Sequence, residues 1–142
     1  MNEEYSFQQE YPIQIRFNDI DPMGHVNNAI MQEYFDIGRL YYLNLMFDKK
    51  IEHNGLTLFI ASIQTDFLSP IQLEDSIKVQ TKVYELGNKS LKMVQRLISE
   101  KGNIKAFSKS VMVCVSSATN ESQVIPDSWR SIINQMEGNS NC

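Results

Sequence analysis

Cysteine and histidine are scarce in this chain, with two of each in 142 residues. Cys114 falls in a strand-like run and Cys142 at the terminus, so no disulfide framework is expected and a reducing, cytoplasmic setting fits best. His25 and His53 are widely separated and neither cysteine supplies a zinc-ligand spacing, so no metal site is expected. The run Asp19-x-Asp21-x-x-Gly24 imitates the start of a calcium loop, but Met23 and Ile30 stand where the fifth and twelfth ligands belong. Excess positive charge is also missing: a net charge of -4 argues against a broad nucleic-acid-binding surface. No apolar run approaches the ~20 residues of a membrane span. The acidic start Met1-Asn2-Glu3-Glu4 is wrong for a secretory signal. There is no Gly-x-Ser-x-Gly, and neither cysteine has a histidine beside it, so the familiar serine and cysteine hydrolase patterns do not apply.

What is present is one domain's worth of ordinary globular sequence, 42% hydrophobic and 21% charged. Residues 1–10 are polar and read as a flexible start. Ile13, Ile15 and Phe17 alternate with Gln14 and Arg16, which predicts a strand over residues 11–17. Pro22 and Gly24 punctuate the loop that follows. Asn27 or Asn28 then caps a helix running to about Phe47. Further strands are predicted over residues 56–67, 77–85, 90–99 and 104–116, with turns at Gly87-Asn88 and Lys101-Gly102-Asn103. A short helix over residues 126–137 closes the chain.

The long helix carries Ile30, Met31, Tyr34, Phe35, Ile37, Tyr41, Tyr42, Leu45 and Met46 around most of its girth, leaving Gln32, Asp36 and Arg39 as a thin polar ridge. A helix apolar on so many sides must be covered on those sides. Hairpin-length turns imply antiparallel strands, so an antiparallel sheet wrapped around this helix satisfies both patterns. One sheet cannot cover the helix completely and leaves an edge open. Association through sheet edges or helix flanks, as a homodimer or homotetramer, is therefore expected.

Chemistry concentrates in Asn18-Asp19-Ile20-Asp21-Pro22-Met23-Gly24-His25-Val26-Asn27-Asn28. A helix start carries unpaired backbone N–H groups and partial positive charge, so it can polarise a carbonyl. A carboxylate one short turn away, Asp21, makes an apparatus suited to acyl-group hydrolysis. Taken alone, Asp21 also reads as a turn residue satisfying nearby N–H groups, and Asn27 and Asn28 as caps.

The same residues resemble the hotdog-fold acyl-CoA thioesterases of the 4-hydroxybenzoyl-CoA thioesterase-like group. The signature is Asp19-x-Asp21-x-x-Gly24-His25-Val26-Asn27-Asn28, with Asp66-Phe67-Leu68-Ser69-Pro70, Asp75 and Gly87-Asn88-Lys89-Ser90 further on. The likeness spans roughly residues 10–120. It departs at Ile30-Met31, where an aromatic is common, and at Ile37-Gly38-Arg39, which replaces a Glu-Ala-Arg triplet. It implies an α+β hotdog fold and hydrolysis of an acyl-CoA to free acid and coenzyme A, with coenzyme A as part of the substrate and no other cofactor. It makes Asp21 the base or nucleophile and the backbone N–H of Asn28 the carbonyl-polarising donor. Asp19, His25 and Asn27 become supporting residues, Glu33 a fallback carboxylate on the helix, and Lys89 with Ser90 the coenzyme A contacts. Met31 and Tyr34 become candidates for lining an acyl tunnel. A thioesterase for acyl-carrier proteins and a non-catalytic acyl-CoA-binding module are the alternatives with this fold.

Overall fold

The computed structural model describes residues 5–47 and 53–139. The strands are β1 (Gln9–Ile13), β2 (Leu56–Phe67), β3 (Ile77–Leu86), β4 (Ser90–Ser99) and β5 (Ile104–Ser116). The helices are α1 (Asn28–Phe47) and α2 (Asp127–Met136). All five strands join one antiparallel sheet in the order β1-β3-β4-β5-β2. The long helix lies across one face, over β1, β3 and β4, with α2 beside its C-terminal half. This is the α+β arrangement expected from alternating strands around a mostly apolar helix.

The beginning of the chain differs from expectation. The strand predicted over residues 11–17 starts earlier and ends at Ile13, because Ile13 pairs with Ile77, the first residue of β3, and no partner backbone extends beyond it. Phe17–Asp19 instead forms a single 3-10 turn, closed by the Asp19 carboxylate on the N–H of Arg16. The segment read as flexible also carries structure. Gln9 and Glu10 pair with Thr81 and Gln80, and the Tyr5 ring packs against Tyr84 and Phe107 on the sheet face away from α1. Residues 1–4 lie outside the described residues, as does Cys142.

The core falls into two apolar clusters under α1. One gathers Val26, Met31, Phe35, Ile71 and Leu97 near the helix start, and the other gathers Tyr42, Met46, Met93, Met112 and Trp129 near its end. Between them runs a polar row at one level of the sheet, formed by the register partners Thr81, Gln95, Ser108 and Thr65. Gln95 donates to the Phe35 carbonyl at 2.9 Å and to Thr81 Oγ1 at 3.0 Å, and accepts from Arg39 at 3.2 Å. A buried amide with three partners is satisfied and ties α1 to β3 and β4. The far end of the helix is held by Glu137. Its buried carboxylate accepts the Tyr42 hydroxyl and, at 3.0 Å, the Val83 N–H.

The covering of α1 is incomplete. Ile37 is 42% and Leu40 59% exposed, and the edge strand β2 leaves Phe59, Ile60, Ile63 and Phe67 in the open.

Close approach of α1 to the sheet depends on Gly38. A Cβ there would stand 2.6 and 2.8 Å from the Val79 methyls and 3.0 Å from Gln95 Nε2. Alanine favours a helix by about 1 kcal/mol over glycine. Overpacking a filled core costs about 1–3 kcal/mol. Val79 is fully buried and cannot move aside, so Gly38→Ala is expected to lower the urea midpoint despite its better helix propensity. An unchanged or raised midpoint would show that the helix can lift without cost.

Candidate active site at the start of the long helix

The loop before α1 is a clamped turn. The Asp21 N–H donates to the His25 carbonyl at 2.9 Å, and the Gly24 N–H donates to the Asp21 carbonyl at 2.9 Å. Gly24 sits at a φ of 85°, a backbone state that residues with a Cβ rarely adopt. Asp21 Oδ1 accepts the N–H groups of Met23 at 2.9 Å and His25 at 3.4 Å. Its second carboxylate oxygen accepts no hydrogen bond among the described residues, and the side chain is partly exposed. One oxygen of Asp21 thus builds the turn, and the other is left without a partner among the described residues.

Asp19 does different work. It is 1% exposed, and its carboxylate accepts the Tyr34 hydroxyl at 2.6 Å, the Arg16 N–H at 3.0 Å and the Arg16 guanidinium at 2.9 and 3.1 Å. Its carbonyl accepts the Asn27 N–H at 3.1 Å. Asp19 therefore bolts the loop to the second turn of α1. Burial pushes its carboxyl up, but the hydrogen bonds from Tyr34 and Arg16 together outweigh burial and hold it below the usual carboxylate range. Burial first, and Asp19 second, push the Tyr34 phenol upward, so it stays a protonated donor.

Asn27 is the cap. Its Oδ1 accepts the Ala29 N–H at 2.7 Å, and its carbonyl accepts the Met31 N–H at 3.0 Å. The cap leaves the Asn28 N–H without a partner among the described residues, at the first turn of a helix of 20 residues. Beside it opens a cavity of about 260 Å³, walled by His25, Asn28 and Met31 on one side and by residues 67–70 at the end of β2 on the other. Asp21 does not itself line this cavity, but is fastened to His25, which does. His25 braces the loop through its main chain and not through its ring, and its imidazole accepts or donates no hydrogen bond among the described residues.

Other sequence candidates are placed elsewhere. Glu33 stands about 140° around the helix from Asn28. It lines a separate groove of about 630 Å³ with Arg16, Tyr34 and Ile37. Of the two side chains named for an acyl tunnel, Met31 walls the smaller cavity while Tyr34 belongs to the groove of Glu33. Lys89 and Ser90 lie at the β3–β4 hairpin, beside the C-terminal half of α1. From Ser90 to Leu97, the β4 residue level with Ala106 and Phe67, is roughly 23 Å of strand. Within one chain Lys89 and Ser90 do not reach the cavity. Residues 67–70 form a wall of the site that sequence reasoning missed; their signal is the strand that ends in proline. Among the described residues no cluster of His, Cys, Asp and Glu is arranged to hold a metal ion.

A sequence profile of the thioesterase-like superfamily matches residues 15–133. The chain is 18% identical over 120 residues to a protein of Escherichia coli named acyl-CoA thioester hydrolase YbgC, covering 83% of this chain and 90% of the relative. A thioesterase from Thermus thermophilus, solved with coenzyme A and Zn, superposes with a TM-score of 0.80 at 29% identity, covering 93% of this chain and 96% of that one. The protein SAV2348 from Staphylococcus aureus, solved with coenzyme A, shares the fold at 21% identity and a TM-score of 0.80, covering 97% of this chain and 90% of that one.

The state of Asp19 predicts a pH dependence of stability. A carboxyl held low by folding contributes stability that is present above its unfolded value, near 4, and is lost as pH falls through its folded value. Urea midpoints of the wild type should fall more steeply below about pH 4 than those of Asp19→Asn, which lacks that titration. Parallel curves would remove Asp19 as the anchor of the loop.

Proposed function

The chain belongs to the thioesterase-like superfamily, and on that premise we propose that it hydrolyses the thioester of an acyl-CoA to a free acid and coenzyme A. The observation that carries this reading is the unpaired Asn28 N–H at the head of a long helix, opening on a cavity whose rim residue is fastened to a carboxylate with one free oxygen. The name of the Escherichia coli relative and the coenzyme A in the Thermus thermophilus structure support the same substrate class.

The chemistry needs no more than these groups. A thioester carbonyl is poorly stabilised by resonance and open to attack. The free oxygen of Asp21 either adds to the carbonyl carbon or draws a proton from a water that adds there. Negative charge gathers on the carbonyl oxygen, where the Asn28 N–H and the positive end of α1 stabilise it. The C–S bond then breaks, coenzyme A leaves as the thiolate and is protonated, and water supplies the second oxygen of the product acid. If Asp21 attacks directly, that water cleaves a mixed anhydride in a second step. We assign no metal or redox cofactor to this sequence.

A dimer is part of the proposal. The β2 edge is 12 residues long, unpaired on its outer side and apolar, with Phe59 59% exposed. Such an edge is a template for another strand. Two copies paired antiparallel through β2 run in opposite directions, which puts the Lys89–Ser90 hairpin of the second copy at the same end of the joined sheet as Asn28 of the first. Lys89 is exposed and forms no ion pair among the described residues, so it remains a candidate for a coenzyme A phosphate bound to the neighbouring chain. No helix among the described residues is long and apolar enough to cross a membrane. Cys114 is a buried free thiol, which agrees with the proposed cytoplasmic setting.

Thiol release from a panel of acyl-CoAs tests the reaction. Asp21→Asn keeps the shape of the turn and is expected to reduce kcat by about 10²-fold or more, in a protein whose mass by light scattering corresponds to two chains. Wild-type kcat in that variant would overturn the role of Asp21. Retention of acyl-CoA by the wild type without any thiol release would replace the enzyme reading with a binding module.

A further inference from the structure

Gln32 is the next residue along the flank of α1 that begins with Asn28, one helical turn on. Thr65 and Ser108, register partners on β2 and β5, lie beneath it. The Thr65 hydroxyl donates to Gln32 Oε1 at 3.1 Å. A hydroxyl has one hydrogen, so the 2.9 Å contact between Thr65 and Ser108 is Ser108 donating to Thr65. This relay holds the carboxamide oxygen of Gln32 against the sheet. The two N–H donors of the same amide have no partner among the described residues, although the side chain is partly buried. Water reaches these donors in the free protein, so an acceptor on a bound acyl group gains what it adds over that water.

Polar groups continue along that flank, beside the apolar Ile63 and Phe67 that bracket Thr65 on its strand face. Arg39, seven residues along the same helix face, has a buried Nε without a partner, and so does Ser110 Oγ, two residues from Ser108 on the same strand face. Gln32 and Thr65 do not themselves line the cavity at Asn28, but each neighbours on its own face a residue that does, Gln32 beside Asn28 on the helix and Thr65 beside Phe67 on the strand.

We infer that the site selects acyl groups carrying a hydrogen-bond acceptor, such as a keto or hydroxyl oxygen, near the fourth or fifth carbon, and that Gln32 is the selecting residue. The position follows from length. One turn separates the two residues by about 6 Å of axis, and long helical side chains lean back towards the N-terminus, which places the amide about 5 Å from the carbonyl site. A zigzag hydrocarbon advances roughly 1.25 Å per C–C bond of 1.5 Å, so four bonds cover that span. The inference rests on the proposed thioesterase reaction.

The test compares 4-oxopentanoyl-CoA with pentanoyl-CoA, which differ only in the oxygen at the fourth carbon, by kcat/KM for thiol release. The wild type is expected to favour the keto substrate about tenfold. Gln32→Leu should bring the ratio to one or below. Gln32→Glu, which keeps an acceptor for Thr65 but presents carboxylate oxygen in place of the N–H donors, should turn it against the keto substrate. Thr65→Val, which frees the amide to rotate, should lower it partway. A ratio near or below one in the wild type, or the same preference in Gln32→Leu and Gln32→Glu as in the wild type, overturns the selection by Gln32 while leaving the thioesterase intact. Absence of thiol release from every acyl-CoA overturns the thioesterase reading itself, and this inference with it.

Discussion

The buried carboxylate of Asp19 is the interaction on which the site depends. It gathers a hydroxyl from α1, a guanidinium and an N–H from the preceding turn, and through its own carbonyl the N–H of the helix cap. Depriving the buried carboxylate of the buried Tyr34 hydroxyl costs more than breaking its contact with the Arg16 guanidinium, which is 64% exposed and screened by water. The cluster therefore resists loosening, and it sits two residues from Asp21. Loop residues seldom hold a catalytic group to within a fraction of an ångström unless something rigid fixes them. Here the fixing is done by one aspartate so that the other can keep an oxygen free.

The second constraint is how near the helix comes to the sheet. Gly38 lacks the Cβ that would hold α1 away from Val79, and Gln95 reaches up from β4 to the helix backbone. The row from Thr81 to Thr65 then divides the interior into two apolar clusters, and its outer end emerges at the β2 edge beside Gln32. Polar groups at this level fix the register of helix on sheet, and where the row reaches the open flank they also face the proposed acyl group. Packing and substrate choice are thus parts of one structural feature.

Much of this was legible in the amino-acid sequence, and what was not has identifiable causes. β3 alternates from Ile77 to Val83, and the turns on either side of β4 carry Gly87 and Gly102, so those limits could be read directly. β1 could not, because its end is set by where β3 begins, a long-range fact absent from its own alternation. Asp19 and Asp21 are equivalent as sequence, and family likeness was needed to favour Asp21; in the structure their hydrogen bonds separate them at once. Lys89 and Ser90 stood in a turn of the right composition, but a single chain does not reveal at which end of a sheet a hairpin falls. Gln95 and Ser108, each followed by a cationic residue, Arg96 and Lys109, carry no sign of burial in the sequence. Only the pairing of β4 with β5 and of β5 with β2 places them in one row.

The central claim is that a single backbone N–H at the start of α1 stabilises the charge developing on a thioester carbonyl. Proline is compatible with the first position of a helix and requires only an extended residue before it, which a cap residue already is. Asn28→Pro therefore deletes that N–H while the helix persists. With folding verified by circular dichroism and the urea midpoint, the account predicts that kcat for acyl-CoA hydrolysis falls about 10²–10³-fold, while KM changes little. Wild-type kcat in folded Asn28→Pro would contradict it.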